Sequence, residues 1–238
     1  MDRKKYVIVM AAGSGSRMGS ELPKQFIELG GKAILQRTIE VFLKACPGIK
    51  VVTVLPEAHV GYWKNYCLDH GFICPQIIVK GGITRFHSVK NALARIPDGA
   101  LVAVHDGVRP LATSGFVKQM FEKAEAVPAL IPVIPCVDTM KVLEQKGDEL
   151  VTARGKSADR SVLFGAQTPQ IFHSEVLKNS YDQPYDTAFT DDASVVDKYG
   201  KNLSYLIGER FNIKITTKDD IVLANAILSL SPCDVSSR

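Results

Sequence analysis

The sequence predicts an α/β protein built on a doubly wound, largely parallel sheet. Three observations carry this expectation. Short β-branched runs alternate with amphipathic stretches as far as Pro135, which is the rhythm of βαβ units. The chain has 238 residues and is 46% apolar, enough for one large core rather than two small ones. A glycine-rich loop follows the first apolar run directly.

Strands are expected at Tyr6–Ala11, Lys50–Leu55, Gln76–Val79, Ala100–His105 and Ala129–Pro135. Between them Ile34–Ala45, Val60–His70, Thr84–Ile96 and Ser114–Ala126 place apolar residues at helical spacing, as in Leu35, Ile39, Phe42 and Leu43. After Pro135 the rhythm changes. Asp138–Glu144 and Glu149–Arg154 flank Gln145-Lys146-Gly147-Asp148 and read as a hairpin projecting from the sheet. A two-stranded ribbon is barely stable alone, so it is expected to pack against a second copy of the chain. The chain then returns through Ser161–Gln167, helices at His173–Tyr181 and Asp191–Tyr199, a strand at Leu203–Ile207 and a last helix from Thr217. Thr217 with Asp220 three residues on forms a capping box, a structural role for the Asp219-Asp220 pair.

The net charge of +4 argues against a nucleic-acid coat and fits a local basic pocket for an anionic small molecule, although the total alone does not choose between them. The five cysteines are odd in number, scattered and without a C-x-x-C pair, the usage of a reducing cytoplasm. Arg3-Lys4-Lys5 before Tyr6–Ala12 imitates a signal peptide, but the apolar run is short and flows into the glycine loop, so a buried first strand is the better reading. No segment approaches the ~20 apolar residues of a membrane span. A cytoplasmic protein is expected.

The loop Ala11-Ala12-Gly13-Ser14-Gly15-Ser16-Arg17-Met18-Gly19 suits an anion, because glycines let backbone N–H groups approach phosphate. It lacks the Gly-Lys-Ser/Thr ending of a P-loop, and a dinucleotide fingerprint needs glycine where Met18 stands. Gly19 still makes a relaxed version and Glu57 sits where a ribose-binding acid would, so a nicotinamide oxidoreductase remains a rival. A non-catalytic nucleotide sensor is a second. Arg17 inside the loop and Pro23-Lys24-Gln25 after it favour a site where negative charge builds on a triphosphate. Asp106 should lie just past the carboxyl end of the fourth strand, where a carboxylate suits Mg²⁺ against phosphate oxygens, although a turn or cap role fits equally. Cys67, His70 and Cys74 invite a zinc reading but have no fourth ligand at usable spacing. Tyr62, Trp63 and Tyr66 read as helix packing.

An ordered set of motifs then carries a resemblance. It comprises Ala11-Ala12-Gly13-x-Gly15-x-Arg17-Met18-Gly19, Pro23-Lys24-Gln25, Gly81-Gly82-x-x-Arg85-x-x-Ser88-Val89 and His105-Asp106-x-x-Arg109-Pro110. Asp138-Thr139-Met140-Lys141, Thr168-Pro169-Gln170, Thr190-Asp191-Asp192-Ala193 and Asn212-Ile213-Lys214-Ile215-Thr216 follow. Together these resemble the 2-C-methyl-D-erythritol 4-phosphate cytidylyltransferase family of the non-mevalonate isoprenoid pathway, over essentially the whole chain.

The resemblance implies a nucleotidyltransferase (Rossmann-like) version of the doubly wound sheet, one domain over residues 1–238, and a homodimer joined through an arm at about 137–160. It implies that CMP passes from CTP to the alcohol phosphate with release of pyrophosphate. Ala11, Ala12, Gly13, Gly15, Gly82, Arg85, Ser88 and Asp106 would bind nucleotide, Arg17, Lys24 and Lys214 would supply catalytic charge, and Asp106 would hold Mg²⁺. Thr139, Arg160, Thr168 and Thr190 would meet the second substrate, with Arg160 reaching the partner's site. Relatives often carry an acid where this chain has Phe211, so no second metal ligand is inferred there. A sister branch acting on ribitol 5-phosphate is the nearest alternative. Ala11-Ala12-Gly13 and Thr190-Asp191-Asp192-Ala193 favour methylerythritol phosphate, and Phe211 leans the other way.

Overall fold

The computed structural model describes residues 3–13, 22–154 and 158–230. Strands and helices occur in the order β1 (Lys4–Met10), β2 (Glu28–Leu29), β3 (Lys32–Ala33), α1 (Ile34–Ala45), β4 (Lys50–Leu55), α2 (Val60–Asp69), β5 (Gln76–Lys80) and α3 (Arg85–Leu93). Then come β6 (Ala100–Asp106), α4 (Ser114–Ala124), β7 (Ala129–Pro135), β8 (Leu143–Lys146), β9 (Glu149–Thr152), β10 (Phe164–Ala166) and β11 (Gln170–His173). The described chain closes with α5 (Ser174–Tyr181), α6 (Asp192–Lys198), β12 (Ser204–Ile207) and α7 (Lys218–Ser229).

The main sheet runs β10-β7-β11-β6-β1-β4-β5, with β12 also paired to β7. β1, β4, β5 and β6 are mutually parallel, and β12 is parallel to β7. The expectation of a largely parallel sheet holds, with two antiparallel strands, β10, on the edge beside β7, and β11. β11 runs antiparallel between β6 and β7, where the sequence reading placed no strand. Its four residues follow Pro169 and begin with the polar Gln170, both of which argue against a strand when read locally. Register against β6 makes it one: Ile171 and Phe172 are fully buried opposite Ala103 and Val102.

Both faces of the sheet are covered because successive strand residues point to opposite sides. Val7 and Val9 of β1 enter one core with Leu35, Ile39 and Phe42 of α1 and Phe116 and Phe121 of α4. Tyr6 and Ile8 enter the other with Phe86 and Val89 of α3 and Leu177 of α5. Trp63 and Tyr66 are buried in the first core, as the helix-packing reading expects, whereas Tyr62 is exposed and lies against Phe26. Beneath α7 a smaller cluster joins Leu29, Ile34, Val108, Ile215 and Ala224. The capping box at α7 forms as read: Asp220 N donates to Thr217 Oγ1 at 3.3 Å and Thr217 N donates to Asp220 Oδ2 at 2.8 Å.

β8 and β9 form the hairpin, shorter than expected on its first side because strand pairing starts at Leu143. Among the described residues they pair with each other alone, and Gly147 supplies the left-handed residue of the turn (φ 59°).

Candidate active site

Strand register builds the site. Met10 of β1 stands opposite both Val54 of β4 and Asp106 of β6, and Leu55 stands opposite Lys80 of β5. The loops leaving β1, β5 and β6 therefore open on one carboxyl edge, where open α/β sheets take ligands. Gly107 N donates to Met10 O at 2.8 Å, and Gly81 N donates to Leu55 O at 2.8 Å. These bonds leave no room for side chains: a Cβ at Gly107 would stand 2.9 Å from Met10 O, and one at Gly81 2.7 Å from the Ala12 Cβ.

A cavity of about 480 Å³ opens there. It gathers Ala11, Ala12, Gly13 and Lys24 from the first loop, Gly82, Arg85 and Ser88 from the second, and Asp106 and Lys214. Nine of the residues expected for nucleotide and catalysis thus share one space. Gly15 and Arg17 lie outside the described residues. Lys24 follows Pro23 in a single 3₁₀ turn, whose neighbour Gln25 is buried and donates to Ala11 O at 2.8 Å, tying the turn to the end of β1. Ser88 lines the cavity and also braces it: its hydroxyl accepts from Gly82 N at 2.9 Å and donates to Thr84 O at 2.9 Å.

Asp106 is the electrostatic centre. Its Oδ2 accepts from Arg109 Nε at 3.1 Å and meets Lys214 Nζ at 3.0 Å, while Arg85 Nη2 stands 3.9 Å from Oδ1. Burial alone would push this carboxyl up. Arg85, then Lys214 and Arg109, outweigh burial and hold it well below the usual carboxylate range. Lys214 reaches this point because Ile215 N donates to Val108 O at 2.9 Å, stitching the segment before α7 onto the loop after β6.

Sequence reasoning did not assign three residues that matter here. Arg109 joins Asp106 to the backbone of the Lys214 segment, donating from Nη1 to Asn212 O at 2.7 Å. Its spacing of three from Asp106 was the available signal. Asp192, wholly buried, receives Arg85 Nη1 on Oδ1 at 2.9 Å and meets Nη2 at Oδ2 at 2.7 Å, with Tyr181 Oη donating to Oδ1 at 2.7 Å. Arg85 is therefore held as well as holding. His105 is the third; burial lowers its ring to about 4, so it is neutral near pH 7.

That shift has a consequence for stability. The folded ring titrates below the ordinary histidine value of about 6.5, so it supports the fold above that pH, and the support is lost as pH falls towards about 4. Asp106, Arg109 and Thr168 face the ring. Between pH 7 and pH 5 the loss should be on the order of 2 kcal/mol. Urea unfolding in EDTA at the two pH values, compared between wild type and His105→Gln, measures it; an equal pH dependence in both would exclude this origin.

The four residues expected at the second substrate are not in the cavity lining. Thr139 and Thr190 are exposed, and Arg160 is exposed with Nη1 donating to Val137 O at 3.1 Å. Thr168 is buried, with its hydroxyl engaged inside the protein. A larger groove of about 690 Å³ runs between β10, β12 and α6, but apolar side chains and two acids line it, without a cation for phosphate. The zinc reading gains nothing. Burial pushes the Cys67 thiol up to about 11, and among the described residues no three histidine, cysteine or acidic side chains converge. No described helix is long and apolar enough to cross a membrane.

Solved structures share this architecture. A 4-diphosphocytidyl-2C-methyl-D-erythritol synthase from Anaerococcus prevotii superposes with TM-score 0.79 at 25% identity, over 97% of this chain and 100% of that one. A 2-C-methyl-D-erythritol 4-phosphate cytidylyltransferase from Francisella tularensis gives 0.75 at 31%, over 94% and 99%. The sheet is that of these nucleotidyltransferase enzymes, and the cations around Asp106 stand at a cavity of about 480 Å³ on its carboxyl edge. The sequence profile of 2-C-methyl-D-erythritol 4-phosphate cytidylyltransferases matches residues 6–230. A relative of that description from Bacteroides thetaiotaomicron is 43% identical over 225 residues, covering 94% of this chain and all of the relative. The chain belongs to the 2-C-methyl-D-erythritol 4-phosphate cytidylyltransferase family.

Proposed function

We propose that this enzyme transfers CMP from CTP to 2-C-methyl-D-erythritol 4-phosphate, giving 4-diphosphocytidyl-2-C-methyl-D-erythritol and pyrophosphate. The observation that carries the reading is the convergence of Lys24, Arg85, Lys214 and the ionised Asp106 on one cavity at the carboxyl edge of the sheet. A phosphate oxygen of the alcohol phosphate attacks the α-phosphorus of CTP. The new P–O bond forms as the bond to the β-phosphate oxygen breaks, and pyrophosphate leaves with the electron pair. No enzyme nucleophile is needed. The chain's work is to hold two polyanions together and to meet the charge of the in-line transition state with fixed cations. Lys24 and Lys214 do this directly, and Arg17 joins them in the reading taken from the sequence.

A divalent cation, Mg²⁺ in this reading, fits the donor set. Mg²⁺ takes one or two carboxylates and completes its shell with phosphates and water, so a lone ionised carboxylate beside a nucleotide site is enough. Among the described residues the Oδ1 of Asp106 is the less occupied oxygen, with Arg85 near it at 3.9 Å. When bound, the ion would draw charge from the phosphate oxygens. The proposal keeps Thr139, Arg160, Thr168 and Thr190 for the second substrate and extends to a homodimer in which Arg160 serves the partner's site. Supporting the dimer, the β8–β9 arm leaves Leu143 and Leu150 exposed, as are Val137 and Met140 before it. A cytoplasmic location is included, supported by the four unpaired cysteines among the described residues.

The test is pyrophosphate release with CTP and either 2-C-methyl-D-erythritol 4-phosphate or ribitol 5-phosphate, on protein whose mass is measured by sedimentation. Methylerythritol phosphate should be the better substrate, and the protein should sediment as two chains. Equal or faster turnover of ribitol 5-phosphate overturns the substrate assignment, release with neither overturns the reaction, and a single-chain mass overturns the dimer.

A further inference from the structure

Gln170 opens β11 opposite Val104 of β6, close to the Asp106 end of that strand, and its side chain is interior, with the residue 1% exposed. Its amide bridges to the first turn of α6. Oε1 accepts from Ala193 N at 2.8 Å, and Nε2 donates to Asp191 Oδ2 at 2.8 Å. Chemistry fixes this orientation: a backbone N–H only donates and an ionised carboxylate only accepts, so a reversed amide would meet two wrong partners. Asp191 passes the hold on, because its Oδ1 accepts from Ser194 N at 2.8 Å and caps α6. Ser194 Oγ in turn accepts from Thr190 N at 3.1 Å. On the next residue, the buried Asp192 carboxylate receives Arg85 Nη1 at 2.9 Å and Tyr181 Oη at 2.7 Å. Thr190, Asp191 and Asp192 thus hang from one amide. They serve different parts of the proposed chemistry, Thr190 at the second substrate and Asp192 through Arg85, which lines the nucleotide cavity.

We infer that Gln170 is a positioning residue: it docks the start of α6 on the sheet, and so places Thr190 and, through Asp192, the Arg85 guanidinium relative to the end of β6. The inference rests on the roles proposed above for Thr190 and Arg85. α6 has only 7 residues, too few to keep its shape without tertiary contacts. Its larger apolar anchors, Val195 and Val196, and the bond from Gln183 Nε2 to Val195 O at 2.8 Å hold its middle. The placing of its first turn against the sheet falls to Gln170, and groups about 1 Å out of place cost on the order of 100-fold in rate.

The test is a double-mutant cycle. Gln170→Glu keeps the size of the side chain and an acceptor for Ala193 N, but sets a carboxylate against that of Asp191. Asp191→Asn keeps the cap on Ser194 N and loses the acceptor for Gln170 Nε2. In the combined variant donor and acceptor change places across the contact, and the bond is remade. Each single variant should lower kcat/KM for CTP and for the alcohol phosphate about tenfold or more, and the double variant should return both to within about threefold of wild type. Single variants that melt earlier but keep wild-type kcat/KM while folded would make Gln170 structural only and overturn the inference, as would a double variant no better than the singles. A second measurement needs neither turnover nor the variants. Ala193 N sits in the first turn of α6, where no intrahelical acceptor is available, so its hydrogen exchange reports the bond to Gln170. In the wild-type protein this amide should exchange about 100-fold or more slowly than in a free peptide, and free-peptide exchange overturns the inference. Absence of pyrophosphate release by the wild type would count against the proposed function alone, because the exchange is still read.

Discussion

Lys214→Ala is expected to lower turnover about 100-fold or more, the loss seen when one preorganised charge-stabilising donor is removed from a transition state. The ammonium sits 3.0 Å from Asp106 Oδ2 and lines the cavity, so its charge is fixed before substrate arrives. Alanine removes that charge and leaves Arg85 and Arg109 to balance Asp106. Because Lys214 is partly exposed, the fold should tolerate the change and unfolding should stay close to wild type. KM for CTP should rise less than kcat falls, since the cation matters most where charge accumulates. Steady-state kinetics with both substrates decide it. Turnover within threefold of wild type would take Lys214 out of the mechanism.

Arg85→Met should produce the largest loss of stability. Asp192 is fully buried, and the guanidinium meets both its oxygens, at 2.9 and 2.7 Å. Without Arg85 the carboxylate keeps only Tyr181 Oη, at 2.7 Å, inside a wall of aromatic rings in which Phe86 stacks on Tyr181 and Phe189. Breaking a buried pair from one side costs about 3–5 kcal/mol, because a charge is left without water or partner. At about 2–4 °C per kcal/mol for a chain of this size, the melting midpoint should fall by roughly 6–20 °C. Replacing both partners, as Arg85→Met with Asp192→Leu, should recover part of the loss, since an apolar pair of similar bulk has no charge to desolvate. A midpoint within 2 °C of wild type for Arg85→Met alone would show that Asp192 has another counter-ion. Activity should fall as well, through the 3.9 Å contact of Arg85 with Asp106.

The parts of this molecule that were legible in one sequence are those decided locally or by strong periodicity. α1 shows its buried face as Leu35, Ile39 and Phe42, and α7 announces its start through Thr217 and Asp220. Lys24 could be nominated because it closely follows a glycine loop, Asp106 because the family resemblance tips an even choice between a metal and a turn role at a strand end, and Lys214 through that resemblance. What stayed hidden depends on register between distant segments. β11 is a strand only because β6 and β7 flank it. Asp192 reads locally as the first residue after a helix cap, and nothing nearby in sequence points to Arg85. Thr168 invites a ligand role from its motif, and nothing beside it in sequence shows that its hydroxyl also meets residues more than sixty positions earlier.

The stitch between Ile215 and Val108 bears on how the protein is made. Asp106 is translated 108 positions before Lys214, so while those residues are made the carboxylate exists without its nearest lysine. Arg85 and Arg109 are already present to shield it. β6 is made early, but the reactive edge gains its full complement of charge only once Lys214 has left the ribosome, and until then the nascent chain carries an incomplete site.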